Sequence, residues 1–259
     1  YWYQQLVVSL SAAQSSDVNL RRSGEAAIHE FTSQCPDFVP ILISFASTVE
    51  NAESHRHLAM VLLNQHAKSS WKSLSSESRF ALAAFAHRWS TQDVNLESHL
   101  RRSAMAILAK IFGASTEGEA EQLASSFQSQ LQSADNMNMV LCTIRSVCEI
   151  AKEVEYYRQI TLLRICYASM QNIIRSLGVS GGTDNDNNRL VYYVVRCLRF
   201  CTHKLGEANF SIGFEDDEAE FVLGELIPHW SSFACECLAQ YVGDSNKLLF
   251  NLSVAIDLC

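Results

Sequence analysis

Two histidines one residue apart, His55 and His57, are the first side chains along the chain that could act together, since imidazoles bind transition metals and carry protons. Their spacing argues against a chelate, because residues two apart on a helix point to different faces. Cys235 and Cys237 diverge for the same reason, and Cys197 with Cys201, one helical turn apart, lack a second pair to complete a metal site. The glycines of residues 178–188, GVSGGTDNDNN, neither follow a strand nor end in Lys-Ser/Thr, so they do not read as a phosphate-cradling loop. No Ser-His-Asp or Cys-His set can be assigned, because such sets are defined by geometry. The sequence predicts no enzyme, no metal and no cofactor.

One charged motif remains. Glu215, Asp216, Asp217, Glu218 and Glu220 place five carboxylates within six residues. Such a run creates a local negative field that draws in a basic protein. Equally, it reads as a solvated connector whose charge favours the N-terminus of the next helix.

The elements that would position these residues are helices. The chain is rich in Ala, Leu, Ser, Glu and Gln, with three prolines and ten glycines in 259 residues. With 48% apolar and 19% charged residues it can bury a core throughout. A net charge of −8 argues against direct nucleic-acid binding and suits a basic partner. Apolar runs are each interrupted before the ~20 residues a bilayer span requires, so no membrane segment is expected. Nine cysteines, several within apolar helical stretches such as Cys142, Cys148 and Cys166, read as small core residues of a reducing compartment. The chain starts at Tyr1 and ends in an apolar helical pattern, which reads as a piece of a longer protein.

The apolar stripes repeat. Residues 6–10 open a short helix, and Ser15-Ser16-Asp17 offer N-cap chemistry to the next. That helix has a stripe of Leu20, Gly24, Ala27, Ile28 and Phe31, which returns eighty positions later as Leu100, Ala104, Ile107, Leu108 and Ile111. Both copies begin LRRS, and an intermediate copy has Arg56, Ala59, Leu62, Leu63 and His66. Arg21, Arg56 and Arg101 are thus separated by 35 and then 45 residues. A helical bundle would share the stripes; the register-matched arginines favour repeats of 34–47 residues, the mark of HEAT or armadillo proteins. Further helices are expected at 38–49, 76–89, 119–131, 139–154, 156–177, 190–205, 220–241 and 247–259. The expected fold is all-α, a right-handed α-solenoid of about six HEAT-type hairpins running through residues 1–259 as one domain. By the 100° rule, Arg22, Ala26, His29 and Ser33, then His57, Val61, Asn64 and Lys68, then Arg102, Ala106, Ala109 and Gly113, lie opposite the stripes.

Residues 20–71 resemble the N-terminal region of the importin-beta (karyopherin-beta) nuclear transport receptors. The resemblance rests on Arg21, Gly24-Glu25, Ile28, Phe31, Pro36-Asp37-Phe38, Arg56-His57-Leu58-Ala59, Leu63-Asn64-Gln65 and Trp71. Asn64-Gln65 stands where the family often has Lys-Asn, and the third repeat lacks the Trp-Pro of many members. The resemblance implies a carrier that shuttles between cytoplasm and nucleus and touches Phe-Gly nucleoporins. It implies Ran-GTP on the concave side at Arg22, His29, His57, Asn64, Lys68 and Arg102, residues that otherwise read as a solvated face. It implies protein cargo, of basic histone or ribosomal type given the net acidity, at Glu215, Asp216, Asp217, Glu218 and Glu220. Phe38, Phe45, Phe80 and Phe85 could line Phe-Gly pockets or belong to the core. A HEAT scaffold indifferent to Ran is the alternative, and an enzyme-associated helical domain a third.

Overall fold

A computed structural model of the chain describes residues 2–92, 96–133 and 137–154, with isolated positions beyond (161–162, 164–166, 168–169, 172–173, 196 and 228). The helices expected from residue 156 onward, the 178–188 loop, the acidic run 215–220 and Cys197, Cys201, Cys235 and Cys237 lie outside the described residues. Among the described residues there are eight α-helices and no strand. The chain divides into two compact units, Tyr1–Thr116 and Glu117–Cys259.

In the first unit the helices are α1 (Trp2–Ala13), α2 (Val18–Gln34), α3 (Phe38–Ser47), α4 (Glu53–Ser69), α5 (Ser76–Thr91) and α6 (Ser98–Ala114), with a 3-10 turn at Trp71–Ser73. Their ends follow local chemistry. The Asp17 carboxylate accepts the backbone N–H groups of Asn19 (2.7 Å) and Leu20 (3.1 Å) at the start of α2. Ser75 accepts from Ser78 N at 3.1 Å to start α5. Pro40 falls in the first turn of α3, where a missing N–H costs no intrahelical bond.

Short connections make the helices antiparallel hairpins: α1 on α2, α3 on α4, α5 on α6. The second and third hairpins stack in register, α4 along α6 and α3 along α5, as in an α-solenoid. Their shared core includes Leu42, Phe45, Ala59, Met60, Leu63, Leu82, Phe85, Leu100, Ala104, Ile107 and Leu108, all buried. The first hairpin joins differently. Here α2 packs chiefly on α1, and α1 is the helix that touches both α3 and α4. Tyr3 meets Phe45 with ring centroids 5.4 Å apart, and the Gln14 amide donates to Ser54 O at 2.9 Å. The α1–α2 contact requires Gly24: an added Cβ would overlap Ala13 N and lie 2.8 Å from Ser9 O, both backbone atoms.

Two expectations about the stripes need correction. Leu20 is 55% exposed, because it lies in the first turn of α2, ahead of the region that α1 covers. Ala109, assigned to the open face, is buried at 3%.

The second unit is described by its first hairpin, α7 (Glu117–Ser133) on α8 (Met137–Glu153). Glu117 and Glu119 occupy the first turn of α7, where carboxylates favour the helix dipole. The two helices pack together, with Ala120, Ala124, Phe127 and Leu131 of α7 and Val140, Ile144, Val147 and Cys148 of α8 all buried. The Cys148 thiol is pushed up to about 12, burial being the largest cause, so it packs as a small apolar group rather than a nucleophile. Among the described residues no helix is long and apolar enough to cross a membrane.

Candidate protein-docking face

The open face is built on α4 and α6, and a buried arginine holds it in place. Arg56, 5% exposed, donates from Nε to Ala46 O at the end of α3 (2.8 Å) and from Nη1 to Glu97 Oε1 before α6 (3.0 Å). Its guanidinium lies 5.9 Å from the centre of the Trp89 ring of α5. One side chain therefore joins four helices. The Glu97 carboxyl is held below the ordinary carboxylate range, first by its own backbone N–H and then by Arg56. The register-matched arginines reach back in weaker versions of this contact, Arg21 Nη1 to Ser15 O at 3.5 Å and Arg101 Nη2 to Leu96 O at 3.4 Å.

With Ala59, Met60, Leu63 and Ala67 turned inward, α4 leaves His57, Val61 and Lys68 exposed, and Asn64 half-buried. The Asn64 Oδ1 is itself buried and has no hydrogen-bond partner. On α6 most of the surface is enclosed; Arg102 and Gly113 are exposed and Ala106 is half-buried. At the head of the seam the His57 ring meets the His99 ring edge-on, centroids 5.4 Å apart, and His99 Nε2 lies 3.3 Å from Glu53 Oε1. Arg102 follows His99 by one turn. Among the described residues no group of three or more His, Cys, Asp or Glu is arranged to hold a metal ion.

The structure thus sets His57, Asn64 and Lys68 on a helix that runs along the one carrying Arg102. Arg22 and His29 are exposed on α2, which packs chiefly on α1 rather than along the α4–α6 seam. The carboxylates Glu215, Asp216, Asp217, Glu218 and Glu220 fall outside the described residues. Of the phenylalanines, Phe45 and Phe85 are core, Phe38 packs on the His66 ring at 4.4 Å, and Phe80 is 76% exposed on α5. The sequence reading missed the His57–His99–Glu53 group. Its signal was a 42-residue separation of the two histidines, close to the repeat length.

No family model and no curated protein matches the chain. Among solved structures it is similar to a chain in "Kap95p Binding Induces the Switch Loops of RanGDP to adopt the GTP-bound Conformation", with 12% identity and a TM-score of 0.50. That match covers 94% of this chain and 35% of the other, so this chain spans about a third of its length. A designed armadillo repeat protein is similar at 12% identity and a TM-score of 0.40, over 98% of this chain and all of that one. At 12% identity the first likeness shows the fold alone, a helical-repeat solenoid.

Proposed function

We propose that this chain is the Ran-binding part of a nuclear transport receptor: non-enzymatic, docking Ran-GTP on the second helices of its early hairpins and carrying protein cargo between cytoplasm and nucleus. The observation that carries the reading is the α4–α6 seam. Two helices stacked along their length leave His57, Val61, Lys68 and Arg102 on one surface, in a fold similar to a chain solved in a complex of Kap95p and RanGDP. The importin-like residues 20–71 supply α2, α3 and α4, two of the three contributing directly to the stacked hairpins.

Phe-Gly nucleoporins would dock between the first helices α3 and α5, beside exposed Phe80. Basic cargo would use the carboxylates of residues 215–220. Ran and cargo would displace one another by reciprocal coupling, since each weakens the other by the same factor.

Isothermal titration of the 259-residue chain with Ran, loaded with a non-hydrolysable GTP analogue or with GDP, tests this. At least tenfold preference for the GTP form is expected, lost in Lys68→Glu/Arg102→Glu with an unchanged melting curve. These two exposed residues are better probes than Asn64, whose replacement by Asp would place charge on a buried atom. Equal affinity for both nucleotide states would reject the transport reading and leave a repeat scaffold indifferent to Ran.

A further inference from the structure

The carboxylates at the α4–α6 seam are both committed within the fold: Glu53 to His99 and Glu97 to Arg56. The exposed basic side chains are not. His57, Lys68 and Arg102 have no carboxylate within ion-pair distance among the described residues. They are spread along a surface about 16 Å long, eleven residues of helix from His57 to Lys68. Val61, 44% exposed, stands between its ends. Residues 1–116 hold ten Lys and Arg against nine Asp and Glu, so the positive character belongs to this seam and not to the unit as a whole.

We propose that the α4–α6 seam is a receptor for an acidic polypeptide segment. This rests on the docking reading above and names the chemistry of the partner. A few cations around one exposed aliphatic side chain suit carboxylates flanking an apolar residue. Nucleic acid is disfavoured, since tight phosphate binding uses many more cations in a basic surface.

Both seam carboxylates already have partners within the fold, so an acidic visitor supplies the counter-charge that Lys68 and Arg102 lack.

The probe is a fluorescein-labelled sixteen-residue peptide of repeating Glu-Glu-Leu-Glu, read by anisotropy at low salt with the whole 259-residue chain. A peptide with Lys for Glu and a sixteen-nucleotide single-stranded DNA serve as controls. Expected is selective binding of the Glu peptide, weakened at least tenfold in Lys68→Glu/Arg102→Glu, circular dichroism confirming that the variant folds. Failure to bind the Glu peptide, equal binding of DNA, or unchanged affinity in the variant would overturn the proposal. Ran titrated into the same variant separates the two readings: peptide binding without Ran binding removes only the transport reading, and the reverse removes only this inference.

Discussion

Replacing Arg56 by Ala tests the physical origin of the docking face. The change leaves Ala46 O without its donor, and an unsatisfied buried acceptor costs about 1–3 kcal/mol. Loss of the Trp89 contact adds about 0.5–1 kcal/mol. The Glu97 pair contributes less, ~0.5 kcal/mol, because that carboxylate is 41% exposed and screened by water. The total is about 2–4.5 kcal/mol, which lowers a melting midpoint by roughly 4–18 °C in a domain of this size. Arg56→Lys should recover little, since an ammonium cannot serve both acceptors in the fork geometry of a guanidinium. Differential scanning calorimetry of Arg56→Ala beside Arg21→Ala is the assay, the latter expected to cost under about 1 kcal/mol given its longer contact. Equal losses at the two positions would refute the claim that Arg56 is the joint of the stack.

Three further outcomes follow from the packing. Gly24→Ala should destabilise the first hairpin by about 1–3 kcal/mol despite the better helix propensity of Ala, because its Cβ meets backbone that cannot turn aside; a stabilised variant by urea denaturation would contradict this. Asp17→Ala should cost about 1 kcal/mol through loss of two capping bonds at the head of α2, measured by the same titration. Burial lowers the folded-state pKa of His66 and of His87 below the unfolded value of about 6.5. Their neutral forms are favoured by folding, so stability is complete above that value and falls as the pH drops through it toward the folded-state pKa. Melting midpoints should therefore decline on acidification, less steeply in His66→Leu/His87→Leu; an identical pH slope in that variant would exclude these two residues as the cause.

Much of this architecture was legible in residue spacing. The Pro36-Asp37-Phe38 break and the wide, punctuated apolar stripes place α3, α5, α7 and α8 within two residues of their observed ends, and the Asp17 cap and the stripes at Ala59–Leu63 and Ala104–Ile111 locate α2, α4 and α6. The first helix was read as shorter than Trp2–Ala13, since its apolar residues run almost all round and blur the period. What stayed hidden depends on which helix covers which. Leu20 lies on the stripe yet meets water, and Ala109 lies off it yet is buried; periodicity gives a direction, not the neighbour found there. The arrangement of the first hairpin turns on the close approach at Gly24, a fact of three dimensions. Arg21 and Arg56 share a register, but it is Arg56 that meets an aromatic ring and a carboxylate, so the sequence alone made equals of unequal residues.

The central claim is that stacked second helices present a face for another protein. Hydroxyl-radical footprinting of the 259-residue chain with and without Ran-GTP reads that face side chain by side chain. The account predicts protection of His57 and Val61, together with Arg102, while Phe80 on α5 reacts as before. Protection confined to Phe80, with the α4–α6 residues unchanged, would contradict it.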